Sequence, residues 1–143
     1  MPLIYVIAAL LAFVGGALSL YFHLVYKKQI NPKQVWVPSV CQMDSSQCTS
    51  IVDTKYGRLG RKPNSFYGSI FLPAYGLILI LTAIRLVQPE IALILGGITI
   101  IAGVYLTIAL FRLATYCPIC LTVHGLNLLI VLLQLSALFL ANT

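Results

Sequence analysis

Residues Thr115 to Leu140 read TYCPICLTVHGLNLLIVLLQLSALFL. The stretch holds no Lys, Arg, Asp or Glu, and it exceeds the ~20 residues a helix needs to cross the hydrocarbon core of a bilayer. It opens on Cys117-Pro118-Ile119-Cys120. From there Cys117, Cys120, His124, Asn127, Val131 and Gln134 recur at alternating steps of three and four, which puts them on one stripe of a helix. All but Val131 can hydrogen-bond or react. Polar groups at membrane depth face a protein interior rather than lipid. The segment therefore predicts a bundle of membrane helices with a dithiol at one end of a polar stripe. Helix–helix hydrogen bonding is the competing use of His124, Asn127 and Gln134.

The remaining sequence supplies the other helices. Leu3–Val25, Ser65–Leu86 and Ile91–Phe111 are nearly charge-free. Of 143 residues 60% are hydrophobic and 8% charged, with a mean hydropathy of +0.99; soluble domains carry roughly 25% charged residues. A soluble chain of this size has too much surface to hide so much apolar area, which excludes a soluble enzyme and a disordered tail. The net charge of +6 does not indicate a nucleic-acid partner, because seven of the nine Lys and Arg lie between Lys27 and Lys62. Between membrane spans, basic residues mark topology or headgroup contact.

The expected fold is all-α: a single integral membrane domain over residues 1–143, a four-helix bundle. Its spans fall at about 3–25, 65–86, 91–111 and 115–140, with a long cysteine-bearing loop, 27–64, between the first two. The first span is not a cleavable signal, since no Lys or Arg precedes it and it is too long. Ala8, Ala12 and Gly16 form a small-residue stripe on it that admits a close neighbour. Pro73 is expected to kink the second span. The short connections at Gln88-Pro89-Glu90 and Arg112–Ala114 make spans two, three and four antiparallel neighbours. Gly96, Gly97 and Gly103 suit close packing. Within the loop, Asp44–Tyr56 is expected to form a short helix, with Ser45 or Ser46 as its N-cap.

The four cysteines, Cys41, Cys48, Cys117 and Cys120, allow three pairings, and their spacing favours two local redox pairs. Residues at i and i+3 share a helix face. At a helix N-terminus, free N–H groups and the macrodipole favour a thiolate, and Pro118 fits the first turn without losing a hydrogen bond. A single zinc on all four thiolates would normally use two Cys-x-x-Cys knuckles, and the loop pair is Cys-x6-Cys, so no metal is expected. Inert structural cysteines would not need this placement. A dithiol opening on a pocket among membrane helices suits a lipid-soluble carrier, for which quinones are the obvious class: polar side chains hold the carbonyl oxygens and apolar walls hold ring and tail. The loop pair, in water, suits exchange with a soluble thiol protein.

With Cys117-Pro118-Ile119-Cys120 and the segment Asn64-Ser65-Phe66-Tyr67-Gly68 before the second span, the chain resembles the vitamin K epoxide reductase family in its bacterial or archaeal form. The resemblance runs nearly end to end. The cysteine order separates it from DsbB-like quinone reductases, whose Cys-x-x-Cys comes first. It implies a membrane thiol–quinone oxidoreductase that supports protein disulfide formation. Cys120 would attack the quinone (ubiquinone, menaquinone or similar), with Cys117 as its partner. Cys41 and Cys48 would be the shuttle pair, Cys48 exchanging with Cys117 and Cys41 meeting an external thioredoxin-fold protein of DsbA or protein disulfide isomerase type. Asn64 would hydrogen-bond the quinone, with His124 and Asn127 nearby. His124 stands where vertebrate members carry tyrosine, so a plain quinone is the expected acceptor rather than vitamin K epoxide. No fused thioredoxin-like domain follows the fourth span, so the redox partner is expected to be a separate protein. The alternative from another class is a non-enzymatic small membrane transporter or assembly factor with structural disulfides.

The expected location is the cell membrane, multi-pass. Family habit turns the cysteine face outward. The positive-inside bias of the loop turns it toward the cytoplasm, and that is the orientation expected here.

Overall fold

The computed structural model describes residues 2–39 and 51–143. Cys41, Cys48 and the greater part of the short helix expected over 44–56 lie outside the described residues. Four long helices make the bundle: α1 (Pro2–Tyr26), α2 (Asn64–Ala83), α3 (Pro89–Arg112) and α4 (Pro118–Asn142). Each is long and apolar enough to cross a membrane. The fold is the membrane four-helix bundle that composition predicted. Between α1 and α2 lie a 3-10 turn (Ile51–Asp53) and a two-stranded antiparallel hairpin, β1 (Arg58–Leu59) with β2 (Lys62–Pro63). The hairpin was not anticipated. Its tip is Gly60, at φ 67, a left-handed turn position that glycine occupies without steric cost.

Burial follows membrane logic. On α1 the buried face is Ala8, Ala9, Ala12, Gly15, Gly16 and Ser19, while Leu3, Leu10 and Val14 are exposed. On α3, Ile94, Ile98, Ile101 and Val104 face outward and Gly96 and Gly103 inward. Large apolar side chains meet lipid and small ones let backbones approach. α1 packs mainly on α2 and then on α4. A Cβ on Gly16 would lie 2.7 Å from the Pro73 ring carbons, so the first helix seats the proline of the second. α2 continues through Pro73.

Three details differ from expectation. α2 ends at Ala83 rather than near Leu86, because Arg85 turns left-handed at φ 63 and its N–H and that of Leu86 close on Thr82 and Leu81 carbonyls at 3.0 and 2.9 Å. α3 rests mainly on α4 and touches α2 only lightly, despite the short connection between them. Gly97 meets nothing within 4 Å of a would-be Cβ, so it serves no close approach.

The core divides in two. Toward the loop end, Leu18, Tyr21 and Phe22 of α1 pack with Val37, Ile51 and Val52 of the loop and with Leu110, Cys117 and Ile119. Toward the other end, Tyr5, Ala8, Ala12, Leu72, Tyr75, Leu79 and Ile130 form the second cluster. The Tyr21 hydroxyl donates to the Pro32 carbonyl, and the Tyr21 ring meets Trp36 edge-on at 5.8 Å. The first part of the loop thus folds back over the end of α1.

Candidate active site

Cys117 is the N-cap of α4 and Pro118 its first residue. The backbone there is extended at Cys117, whose carbonyl accepts the Leu121 N–H at 3.1 Å. The dithiol therefore straddles the helix start, as the Cys-Pro-x-Cys spacing predicted. The two sulfur-bearing residues face different surroundings. Cys117 is fully buried, against the loop residues Ile51 and Val52 and against Leu110. Cys120 is half-buried, carries a free thiol, and lines a cavity of about 550 Å³.

That cavity lies among all four helices beneath the loop. Its size is within the usual range for small-molecule pockets. Phe22, Leu72, Leu106, Leu110, Ile119 and Val123 supply apolar wall, and Asn64, His124 and Asn127 supply polar groups. It lies where α2 and α3 stand apart. The roof is the loop segment Tyr56–Leu59 with Ile51 and Val52. Three bonds fasten that roof to α2: Asn64 Nδ2 donates to the Tyr56 carbonyl at 2.8 Å, the Asn64 backbone N–H donates to the Gly57 carbonyl at 2.9 Å, and the Tyr67 hydroxyl donates to the Leu59 carbonyl at 2.9 Å. Gly103 of α3 makes room for His124, since a Cβ there would lie 3.2 Å from its Nδ1.

His124 Nδ1 and Asn127 Oδ1 are buried without a hydrogen-bond partner among the described residues. A buried polar atom left unsatisfied costs roughly 1–3 kcal/mol. Two of them in the wall of one apolar cavity, with a thiol beside them, leave hydrogen-bonding capacity for a polar ligand group: Asn127 Oδ1 accepts, and His124 Nδ1 donates or accepts according to its tautomer. Among the described residues no group of three His, Cys, Asp or Glu gathers as a metal site would require.

The structure thus brings Cys120, Asn64, His124 and Asn127 to one cavity and places Cys117 just outside it, under the loop. Cys41 and Cys48 lie outside the described residues. The far end of the polar stripe does something else. Gln134 does not line the cavity; its Nε2 donates to the Tyr75 hydroxyl of α2 at 2.5 Å. A Cβ on Gly96 would lie 2.7 Å from that hydroxyl oxygen, so three helices close on this buried pair. Gln134 is a helix–helix link. Sequence reading missed Tyr75, an aromatic ring in an apolar run, and it missed the roof residues Tyr56 and Arg58.

A bundle of four membrane helices with a Cys-x-x-Cys at a helix start over an apolar cavity defines a membrane thiol oxidoreductase architecture. Residues 6–135 match the model of the Vitamin K epoxide reductase family, and the chain belongs to that family. Its members are membrane thiol–disulfide oxidoreductases linked in general to quinones. No match was found among curated proteins or solved structures.

Proposed function

We propose that this protein passes electron pairs from a thioredoxin-fold partner to a membrane quinone and so supplies disulfides to other proteins. The carrying observation is that the Cys-x-x-Cys divides its faces, with Cys120 on the cavity and Cys117 under the loop. Cys48 stands three residues before Ile51 in the chain, and Ile51 packs in one cluster with Cys117. That closeness in the chain supports Cys48 as the residue that exchanges with Cys117.

In the proposed relay a reduced partner dithiol attacks the Cys41–Cys48 disulfide and leaves oxidised. The Cys48 thiolate next attacks Cys117 of the Cys117–Cys120 disulfide, and Cys41 closes on Cys48 to release the second dithiol. Two electrons have now moved inward. Cys120 transfers the pair to a quinone held by His124, Asn127 and Asn64, and Cys117 closes the disulfide with Cys120. Two protons accompany the pair, giving quinol. Apolar walls keep water from the reacting thiolate.

The test is quinone reduction by purified protein. Cys117→Ala and Cys120→Ala each abolish turnover with any donor. Cys41→Ala and Cys48→Ala stop turnover with a protein donor but retain activity with a small membrane-permeant dithiol. If either loop variant loses dithiothreitol-driven activity as completely as Cys120→Ala, the order of the relay is wrong.

A further inference from the structure

A second recess opens where α1 leaves the bundle and α2 joins it. It has a volume of about 140 Å³ and is lined by Lys27, Arg58, Arg61 and Lys62 together with His23 and Phe66. No carboxylate is among its lining residues. Of the chain's three acidic residues, Glu90 is in the first turn of α3 at the opposite end of the bundle, Asp53 stands at the edge of the recess, where it accepts the hydroxyl of the lining residue Tyr26 at 3.3 Å, and Asp44 is outside the described residues. Two of the four cations, Arg58 and Lys62, are held in place by contacts. Arg58 donates to the Val52 carbonyl at 2.8 Å and to the Tyr26 hydroxyl at 2.7 Å, which fixes its charge at the recess. The hairpin turn presents Arg61 and Lys62 beside it, and Lys62 Nζ sits 3.9 Å over the Phe66 ring. His23 Nδ1 is buried with no hydrogen-bond partner among the described residues, its ring 5.6 Å from that of Phe66.

We infer that this recess binds the phosphate of an anionic phospholipid. Four convergent cations and an unsatisfied ring nitrogen call for an oxyanion. The recess is too small for a protein surface, and it lies where two membrane spans end, which is headgroup depth. Below it the bundle offers acyl-chain surface: Ile70, one turn beyond Phe66, is 58% exposed. A soluble phosphate would use the same cations but not that surface. Arg58 lines both the recess and the larger cavity, so a headgroup held here steadies the hairpin that roofs the active site.

The experiment measures Tm and retained lipid mass for the full chain in neutral detergent, with phosphatidylglycerol, phosphatidylcholine or inorganic phosphate added separately. Phosphatidylglycerol is expected to raise Tm and to remain bound in native mass spectra, and the other two additives are not. Arg61→Gln combined with Lys62→Gln weakens the lipid effect by about tenfold or more, while Lys28→Gln with Lys33→Gln, basic positions outside the recess, leaves it intact. Equal stabilisation by phosphatidylcholine overturns the proposal, as does an equal effect of inorganic phosphate, which would make this a soluble-anion site. Equal loss in the two double variants overturns it too, because diffuse surface charge would then account for binding.

Discussion

Asn64 lines the cavity and at the same time ties the roof to α2 through the Tyr56 carbonyl. Its removal therefore acts on the ligand and on the lid above it. Asn64→Ala is expected to raise the apparent quinone KM about ten- to hundredfold, the cost of one buried hydrogen bond left unmade. His124→Ala and Asn127→Ala are expected to raise it similarly, while the rate at which dithiothreitol reduces the Cys117–Cys120 pair stays unchanged. An unchanged KM in all three variants removes these residues from the site. His124 and Asn127 were legible in the sequence because a polar residue inside an apolar run has few reasons to be there, and helical spacing aligned them with Cys120. The same spacing extended the stripe to Gln134, which instead bonds Tyr75. Periodicity assigns a residue to a face but does not say whether that face borders a cavity or a neighbouring helix.

At the scale of elements, glycines separate into those that admit a neighbour and those that do not. Gly16 meets the Pro73 ring at 2.7 Å from a would-be Cβ, and a proline ring cannot rotate aside; Gly97 has open space. Gly16→Ala is expected to destabilise the bundle by about 1–3 kcal/mol through overpacking. Gly97→Ala is expected to be neutral or to stabilise by up to about 1 kcal/mol, the helix propensity gain. Equilibrium unfolding in mixed micelles measures both, and equal effects would mean that the α1–α2 contact at Pro73 is not close. The helices themselves were legible from hydropathy, but their ends were less so. α1, α2 and α3 each stop at a non-glycine residue with positive φ, Lys28 at 58, Arg85 at 63 and Ala114 at 49. In each case that residue's N–H and the next one fold back on carbonyls of the last turn, as those of Ala114 and Thr115 do to Phe111 and Leu110 at 3.2 and 3.0 Å. Such a stop normally carries glycine, and without glycine no residue marks it in advance. The hairpin at Arg58–Pro63 was hidden for a different reason: two-residue strands are too short for alternation to register.

Across the whole molecule, charge is split between the two ends of the bundle. The ends of α1 and α3 and the starts of α2 and α4 share one side with the loop, and that side holds Lys27, Lys28, Lys33, Lys55, Arg58, Arg61, Lys62 and Arg112. The other side, at the α2–α3 connection, holds only Arg85. The loop is short enough for its Lys and Arg to act as topology signals, and the basic recess on this side suits the anionic lipids of a cytoplasmic leaflet. We therefore predict that the cysteine face is cytoplasmic, although family habit places it outside. A relay with that orientation would form disulfides within the cell, which makes chemical sense where intracellular proteins are disulfide-rich, as in hyperthermophiles. Four spans put both termini on the side opposite the loop, so a reporter after Thr143 reads the orientation directly. In a bacterial host an alkaline phosphatase fused there is expected to be active, and green fluorescent protein fused there is expected to stay dark. The reverse pattern would place the loop outside. The eight cations would then have failed to set topology, and contacts such as those of the recess would remain as their reason for clustering on that face.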